Sequence, residues 1–496
     1  MELSGETPDK AGASAPMDVT DKTDAERLKD AGNELFKAGK YADAVLKYNE
    51  AIEADPERPA FYTNRAFCHL KMENHGLAIA DSTVALELDK SFIKAYYRRG
   101  SSYMALAKYK DALKDFKAAR QLKPSDRDAL EKYKAAEKEV KREAFEKAIH
   151  SDEPRREYLC ETLDAESMPV DASYTGPRPS FPMQLEDVLA IAEHMKQQKQ
   201  LHAKYVTKIL IELRNQLKEL PSLVDVPIPE GTRIHVCGDT HGQYYDLLHL
   251  FEIKGWPSED NPFLFNGDFV DRGSFSVEVV MLLFAFKVLY PKGVHLTRGN
   301  HESLNMNRIY GFEGEVKAKF SVQTFNLFTE VFHCLPLCYV LGKKIIVLHG
   351  GLFSRDDVTL DDLRKVDRFR EPPDEGLMSE ALWSDPQSMP GRAPSKRGVG
   401  LSFGPDVTAN FLKTNNLKMV VRSHEVKDEG YEVEANGQLC TVFSAPNYCD
   451  QMGNKGAMLS FDTDGEYVVT QFEAVPHPPL RPMAYANGGM GSMFGF

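Results

Sequence analysis

The sequence predicts a chain of two folded parts, an all-α repeat domain followed by a larger α/β domain. A regular spacing of small residues in the first third predicts the repeats. In the remainder, short apolar runs alternate with helical patterns, which is typical of α/β domains. The length of 496 residues supports this division, because it is too long for one hydrophobic core.

The chain opens with a segment, residues 1–23, that is rich in Ser, Thr, Asp, Gly and Pro. This composition predicts a disordered tail. The segment is acidic and lacks an apolar core, so we do not expect a signal peptide.

Small residues recur with a period of 34 across residues 24–150. The aligned columns are Gly32, Ala66 and Gly100; Ala44, Ala78 and Ala112; and Ala51, Ala85 and Ala119. Small side chains at fixed helical positions let paired helices pack closely, and this period is the signature of tetratricopeptide (TPR) repeats. Three repeats reach the minimum for a stable stack, and a charged helix from Asp126 to about Ala148 would cap it. The alternative is a helical bundle with accidental spacing.

The first helices of successive repeats carry cations and amides that suit an acidic peptide terminus. They are Lys29, Asn33, Asn64, Lys71, Lys94 and Arg98. The set resembles the carboxylate clamp of TPR domains that hold the acidic C-terminus of the ninety-kilodalton heat-shock chaperone. Those domains often have arginine where Lys71 stands, and lysine cannot pair bidentately. The alternative is a row of solvated helix faces.

Residues 151–182 have linker composition, with several prolines, acids and a Gly-Pro pair. Residues 183–480 follow as the α/β domain, and Met183–Leu220 predicts two amphipathic helices at its edge. Ser276–Tyr290 is apolar almost all round, which predicts a buried helix. The pattern alone does not separate a sandwich of sheets from a doubly wound sheet.

Five predicted strands of this domain each end in a polar loop. The strands are Arg233–Cys237, Phe263–Phe265, Val294–Thr297, Lys344–Leu348 and Met419–Val421, and their loops carry Asp239, His241, Asp268, Asn300, His349 and His424. Strands that end in such loops indicate one site at the carboxyl edge of a sheet. Nitrogen and oxygen ligands without cysteine suit a divalent ion such as Mn, Fe or Zn. Six ligands are too many for one tetrahedral ion with an open position, so we predict two ions bridged by Asp268. The alternative is a set of ordinary turn residues.

The loops read, in order, GDTHG, GDFVDRG, GNHE, HGG and RSHE. This motif set resembles the PPP-type serine/threonine protein phosphatases, over Leu185 to Phe472. LWSDP at Leu382–Pro386 and SAPNYCD at Ser444–Asp450 extend the resemblance. It implies a metallophosphoesterase fold, a β-sandwich of mixed sheets flanked by helices. It also implies hydrolysis of phosphoserine and phosphothreonine in proteins.

Two ions about 3.5–4 Å apart would turn a bridging water into a hydroxide that attacks phosphorus in line. His301 follows the ligand Asn300 directly, so it can stay unligated and act as general acid, with Asp271 orienting it. Arg272 offers a fork for phosphate oxygens. From the residues alone, Arg397 could equally be a phosphate contact or a solvated loop charge. The resemblance assigns it to phosphate. Asn300 and Tyr448 complete the predicted phosphate contacts, with a wall residue as the alternative for Tyr448.

Family members that carry TPR repeats ahead of the catalytic domain resemble nearly the whole chain, Ala25 to Asn487. This resemblance implies autoinhibition, in which the TPR domain covers the active site until a chaperone terminus or a lipid engages it. Glu73, an acid at the matching position of the second repeat, is predicted to mimic phosphate by pairing with Arg272. A C-terminal helix presses on the TPR domain in such relatives, but residues 481–496 hold four glycines, which disfavour a helix.

The net charge of −13 disfavours bulk attraction to nucleic acid or anionic membranes. The longest apolar run, Val279–Phe286, is too short to span a bilayer, and seven scattered cysteines favour a reducing compartment. We expect a monomer with phosphoprotein substrates in the cytoplasm and nucleus, although no basic cluster marks nuclear entry.

Two alternative functions stay open at this point. One is a metallophosphoesterase that cleaves nucleotides or diesters. The other is a chaperone adaptor with a vestigial catalytic half, which the presence of all six candidate ligands disfavours.

Overall fold

The structure is a computed structural model that describes residues 23–151 and 158–486, and the side chains of residues 146–151 lie outside this description. The predicted N-terminal tail, apart from Thr23, and residues 487–496 of the predicted C-terminal tail also lie outside it. Among the residues that are described, no helix is long and apolar enough to cross a membrane.

Seven helices form the N-terminal part of the described chain. They are α1 (Asp24–Lys37), α2 (Tyr41–Ala54), α3 (Pro59–Lys71), α4 (His75–Leu88), α5 (Ile93–Ala105), α6 (Tyr109–Leu122) and α7 (Arg127–Ser151). The columns of small residues are buried, as the period predicted. A Cβ atom at Gly32 would lie 2.7 Å from the Tyr48 ring, and one at Gly100 would lie 2.7 Å from the Phe116 ring. The sequence period therefore marks the places where paired helices approach most closely.

The segment that the sequence predicts as a linker is packed against the α/β part where it is described. It contains a short helix, α8 (Leu159–Thr162). The backbone N–H groups of Leu159 and Cys160 donate to the Glu330 carboxylate at 2.8 and 3.0 Å. The described end of this segment is thus anchored rather than a plain spacer.

The α/β part contains ten further α-helices and fourteen strands among the described residues. The helices are α9 (Leu185–Lys196), α10 (Ala203–Leu217), α11 (Tyr244–Lys254), α12 (Ser276–Leu289), α13 (Leu304–Tyr310), α14 (Phe312–Lys319), α15 (Val322–Cys334), α16 (Leu360–Arg364), α17 (Leu377–Trp383) and α18 (Pro405–Asn415). The strands are β1 (Leu223–Val226), β2 (Ile234–Cys237), β3 (Phe263–Phe265), β4 (Val294–Leu296), β5 (Cys338–Leu341), β6 (Ile345–Leu348), β7 (Asp385–Pro386), β8 (Arg392–Pro394), β9 (Leu401–Phe403), β10 (Met419–Arg422), β11 (Tyr431–Glu434), β12 (Leu439–Val442), β13 (Gly456–Phe461) and β14 (Tyr467–Phe472). The five predicted strands are β2, β3, β4, β6 and β10, each with ends within one residue of the prediction.

Two mixed sheets pack face to face to form a sandwich. One has the strand order β14-β13-β2-β3-β4 and the other β1-β5-β6-β10-β12-β11, while β7, β9 and β8 form a small third sheet. Val236 and Leu264 of the first sheet share a core cluster with Val347 and Val421 of the second. The opposite face of the first sheet packs on α9, α10, α12 and α15, and the outer face of the second packs on α17 and α18. The predicted fold, a β-sandwich flanked by helices, is confirmed.

The TPR domain packs against the α/β domain through one apolar cluster. Ala66, Leu70, Ala78 and Ala105 of the repeats pack with Met306, Ile309 and Tyr310 of α13, and with Met483 near the C-terminus. Helix α13 follows the loop that carries His301 by only two residues. The docked TPR domain therefore lies directly over the predicted site.

Candidate active site

The loops after β2, β3, β4, β6 and β10 bring all six predicted ligands to one point. His349 Nε2 lies 2.8 Å from Asn300 Oδ1 and 3.2 Å from His424 Nδ1. Asp268 Oδ2 lies 3.3 Å from His349 Nε2 and 3.6 Å from His241 Nε2. His241 Nε2 is also 3.7 Å from Asp239 Oδ2. Asp268 thus stands between the two halves of the cluster, where a bridging ligand is expected.

The donors of this cluster fit divalent cations. Burial raises the pKa of Asp239 to about 7 and that of Asp268 to about 8, and a nearby cation would favour the charged form of both carboxylates. Burial lowers the pKa values of His241 and His424, which favours the neutral imidazole that binds metals. His424 Nε2 is buried and has no hydrogen-bond partner among the described residues. Each of these features suits metal ligands better than turn residues.

Two triads within the cluster have donor atoms close enough for one ion each. One comprises His241, Asp268 and His301, and the other Asp268, His349 and His424. Asp268 belongs to both, as the prediction of a bridging carboxylate requires. The first triad also includes His301, which the sequence predicts to be unligated.

Hydrogen bonds to backbone carbonyls fix two of the candidate ligand rings. His241 Nδ1 donates to the Val270 carbonyl at 3.0 Å, and His349 Nδ1 donates to the Asn266 carbonyl at 2.8 Å. Both bonds leave Nε2 directed at the cluster, which is the usual arrangement of a metal-binding histidine.

Glu302, to which the sequence analysis gave no role, ties two of the loops together. Its buried carboxylate accepts hydrogen bonds from the backbone N–H groups of Asp268, Phe269 and Gly299, each at 2.8 Å. The GNHE motif contains this residue, but a motif does not say which backbone groups the carboxylate binds. Glu302 therefore positions the loop of Asp268 against the loop of Asn300.

The predicted acid and its orienting partner are in contact. His301 Nδ1 lies 2.8 Å from Asp271 Oδ2, and both side chains are buried. Asp271 Oδ1 accepts a hydrogen bond from Phe312 N at 2.9 Å. The His301 ring lies beside that of His241, with ring centroids 4.8 Å apart. The geometry is that of a histidine held by a carboxylate at the edge of the ligand cluster.

The two arginines predicted to bind phosphate flank the cluster. The Arg272 guanidinium lies 3.8 Å from the centroid of the Tyr310 ring. Arg397 Nε donates to Asp385 at 2.7 Å, and its Nη2 donates to the His424 carbonyl at 2.8 Å. Arg397 is thus fixed beside a candidate ligand rather than solvated in a loop. Tyr448 also borders the cluster, with its ring centroid 5.1 Å from that of His241.

Comparison with known proteins agrees with this geometry. Residues 232–428 match the calcineurin-like phosphoesterases, and residues 133–225 match the PPP5 TPR repeat region. Residues 32–72 match a TPR repeat and residues 93–126 a tetratricopeptide repeat. Both parts of the predicted architecture are therefore recognised independently.

Relatives that match over most of the chain identify the family more narrowly than the models of single regions. Serine/threonine-protein phosphatase 5 of Homo sapiens is 52% identical over 471 residues, which is 93% of each chain. Serine/threonine-protein phosphatase T of Aspergillus oryzae is 48% identical, over 96% of this chain and all of its own. The chain belongs to the serine/threonine-protein phosphatase 5 family. A solved protein serine/threonine phosphatase from Saccharomyces cerevisiae, described as similar to human phosphatase PP5, is 43% identical with a TM-score of 0.59, and it covers 61% of this chain and 100% of its own.

In this phosphatase 5 family member, a TPR side chain reaches the predicted phosphate site. Both carboxylate oxygens of Glu73 accept hydrogen bonds from Arg272, one from each terminal nitrogen. Burial acts to raise the pKa of Glu73, but the Arg272 guanidinium outweighs it and lowers that pKa to about 2. A carboxylate in a bidentate pair presents two oxygens to the arginine as a phosphate group would. The structure places Glu73 where the sequence analysis predicted it.

The six residues of the predicted peptide clamp lie on α1, α3 and α5. Asn33 Oδ1 accepts from Asn64 Nδ2 at 3.1 Å, so these two amides are joined. The Arg98 guanidinium lies 3.4 Å from the centroid of the Phe67 ring, and Lys71 Nζ lies 5.9 Å from the same ring. The remaining two residues are Lys29 and Lys94. Lys29 Nζ is 3.3 Å from Asp30, and Lys94 lies one helical turn before Arg98 on α5.

Burial affects the two cations that share the Phe67 ring. It lowers the pKa of Arg98 to about 10, and burial together with the Arg98 charge lowers the pKa of Lys71. A carboxylate that pairs with partly desolvated cations gains more than it would at an open surface.

Proposed function

We propose that this chain removes phosphate from phosphoserine and phosphothreonine in proteins, with divalent metals, under the control of its TPR domain. Its family is that of a serine/threonine protein phosphatase with TPR repeats and a metallophosphoesterase domain. The observation that carries the proposal is the convergence of six ligand-type side chains, with Asp268 between the two halves of the set, beside two arginines and a histidine–carboxylate pair.

Asp239, His241, Asp268, Asn300, His349 and His424 would hold two divalent ions, with manganese or an iron–zinc pair suiting the donors. When bound, such ions stabilise charge on phosphoryl oxygens and lower the pKa of a water to near neutral. Arg272 and Arg397 carry guanidinium groups that bind the phosphoryl oxygens, and Asn300 and Tyr448 stand at the same edge. These residues fix the phosphorus atom relative to the attacking water.

The leaving seryl or threonyl oxygen needs a proton, because an alkoxide is a poor leaving group. His301 donates that proton from Nε2, while Asp271 holds its Nδ1–H and stabilises the charged ring. This assignment takes His301 as unligated, although its ring stands close to His241 and Asp268.

Glu73 blocks phosphate binding in the closed form, since it takes both terminal nitrogens of Arg272. An acidic chaperone C-terminus, held by the residues of the predicted clamp, would favour release of the TPR domain, and a lipid activator is a second route. The shared use of α3 supports this coupling, because that helix carries Asn64 and Lys71 as well as the docking residues Ala66 and Leu70.

The full chain with added manganese, assayed on a phosphoserine peptide and on bis(p-nitrophenyl) phosphate, tests the proposal. We expect hydrolysis of the monoester and two metal ions per chain by elemental analysis. His301→Ala and Asp271→Asn should each lower turnover by about 10²- to 10⁴-fold with metal retained. Preference for the diester would instead support a metallophosphoesterase that cleaves nucleotides or diesters. Binding of the chaperone peptide without turnover of either substrate would support a chaperone adaptor. Loss of metal in His301→Ala would show that His301 is a ligand.

A further inference from the structure

A buried asparagine lies directly behind the histidine–carboxylate pair. We propose that Asn307 is a positioning residue that holds His301 and Asp271 in the geometry needed to protonate the leaving oxygen. This inference rests on the proposed function. Asn307 belongs to α13, is 1% exposed, and touches both members of the pair through a single nitrogen.

The hydrogen bonds of Asn307 define how its carboxamide is oriented. Nδ2 donates to the His301 carbonyl at 2.6 Å and to Asp271 Oδ2 at 3.0 Å. Oδ1 is buried and has no hydrogen-bond partner among the described residues. The opposite orientation would set the amide oxygen against two other oxygens, one of them charged, and it is therefore excluded.

This arrangement leaves Oδ1 buried without a partner among the described residues, which is unfavourable for an amide oxygen. A carboxamide whose only task was to fill space would be replaced there by an apolar side chain without that cost. Both N–H groups are instead directed at the catalytic pair. The geometry thus assigns Asn307 to the pair rather than to the packing of α13.

The carboxylate of Asp271 is fixed from three directions. Oδ2 accepts from both His301 Nδ1 and Asn307 Nδ2, while Oδ1 accepts from Phe312 N. Without Asn307, Oδ2 would keep only the bond from His301 Nδ1, and the His301 carbonyl would lose the side-chain donor that holds it, so the pair would be less firmly positioned. A displacement of about 1 Å is enough to lower a rate by about 100-fold, because proton transfer needs close alignment.

The choice of leaving group separates positioning from general support of the fold. A serine alkoxide needs a proton to leave, whereas p-nitrophenolate leaves without one. Asn307→Leu, which keeps the approximate volume, should lower kcat on a phosphoserine peptide by about 10- to 100-fold. The same variant should lower kcat on p-nitrophenyl phosphate by less than about 3-fold, with KM and bound metal unchanged. The ratio of the two losses does not depend on the fraction of open molecules, because both substrates enter the same site.

Asn415→Leu is the matched control. Asn415 also holds two backbone carbonyls, those of Val358 and Phe411, at 3.0 Å each, but it lies on α18, outside the ligand cluster. We expect it to change the ratio of the two kcat values by less than about 2-fold. Asn307→Ala provides a second test should the leucine variant not fold.

A double variant supplies an independent readout. If Asn307 acts through His301, adding Asn307→Leu to His301→Ala should cause no further loss on the peptide. Equal losses on both substrates with metal retained, or additive losses in the double variant, would overturn the inference. Absence of turnover in the unmodified chain would count against the proposed function and not against this role of Asn307.

Discussion

Several residues of the ligand cluster hold a backbone conformation that is costly outside glycine. His241, Asp268, Asp271, Arg272 and His424 all have φ between 38° and 71°. Such conformations cost about 1–3 kcal/mol each and persist where the surroundings impose them. For Asp268, the Glu302 carboxylate does so by accepting its N–H and that of the next residue. Backbone strain at this site is thus maintained by a side chain from another loop.

Glu302→Gln should therefore weaken metal binding. The amide keeps one acceptor oxygen but sets an NH₂ group against a backbone N–H, which disturbs the loop of Asp268. We expect an increase of about 10- to 100-fold in the manganese dissociation constant, measured by titration of the metal-depleted chain.

Glu330→Gln is the matched control, because Glu330 also accepts from two backbone N–H groups but does so at the anchored linker. It should lower the stability and leave metal affinity unchanged. Unchanged metal affinity in Glu302→Gln would show that the loops are held by other contacts.

Glu73→Ala should raise the basal rate, since Arg272 becomes available to phosphate. A coupling of the usual size predicts an increase of about 5- to 100-fold. Initial rates on p-nitrophenyl phosphate measure the effect, and Glu87→Ala, an exposed acid of the same repeat, is the control. An unchanged rate in a folded Glu73→Ala chain would remove Glu73 from the proposed inhibition.

The same contact predicts how inhibition depends on pH. Because the pKa of Glu73 is lowered to about 2 in the closed form, its contribution to closure is fully present above the ordinary value near 4.5. It is lost only as the pH falls toward 2. The ratio of Glu73→Ala to wild-type rates should therefore stay constant between pH 6 and pH 8. A ratio that fell across this range would indicate another titrating group in the closed interface.

Helix α4 forms a second contact between the domains. The N–H groups of Gly76 and Leu77 donate to the Lys396 carbonyl at 3.0 and 3.3 Å. A Cβ atom at Gly76 would lie 2.6 Å from the backbone nitrogen of Gly398, in the loop that carries Arg397. The first turn of α4 therefore approaches the catalytic domain more closely than any side chain permits.

Gly76→Ala should consequently weaken closure while it strengthens the helix. Alanine favours a helix over glycine by about 1 kcal/mol, so the TPR fold gains stability. The new methyl group has no space at Gly398, so the basal rate should rise even though Glu73 is intact. Basal rates and thermal unfolding measured on the same preparation test both expected changes, the higher rate and the higher stability. Ala80→Leu, on the exposed face of α4, is the control. A basal rate equal to wild type would mean that the loop at Gly398 makes room for the methyl group without weakening closure.

The elements differ in how far the sequence predicts them. The TPR helices and five strands were predictable because their signals are local: a fixed period, and apolar runs that end in polar loops. The sandwich was not predictable from pattern, because Val236 faces the other sheet while Cys237 faces the helices, and both are apolar. Strands buried on both faces lose the alternation that would reveal their orientation.

Contacts between residues far apart in the chain could not be predicted from the sequence. Glu330 meets the linker about 170 residues before it, and Glu302 and Asn307 act on loops that no spacing rule connects to them. The ligands themselves were predictable, because each follows a strand end and belongs to a recognisable motif. The sequence motifs identify the residues that carry the donor atoms. The residues that orient those donors can be identified only from the fold.

The whole chain behaves as a two-state device if the closed contacts and the peptide clamp exclude each other. An acidic peptide can open the molecule only to the extent that it binds the open form more tightly. Linkage then requires reciprocity: a variant that opens the molecule must bind the peptide more tightly, and a fully open variant gains the factor by which saturating peptide raises the open fraction of the wild type. This relation connects two measurements made at sites far apart in the chain.

We therefore predict that a chaperone-type acidic C-terminal peptide raises the basal rate of the wild-type chain and binds Glu73→Ala more tightly. If Glu73→Ala is fully open, its gain in affinity, measured by calorimetry, should equal the factor by which saturating peptide raises the fraction of open wild-type molecules. Lys94→Ala and Arg98→Ala should weaken binding in both backgrounds, because these cations lie on the predicted groove. Equal peptide affinity in wild type and Glu73→Ala, together with activation of the wild type, would break the reciprocity. Peptide binding would then not be coupled to the Glu73 contact, and closure and clamp would be independent properties of the fold.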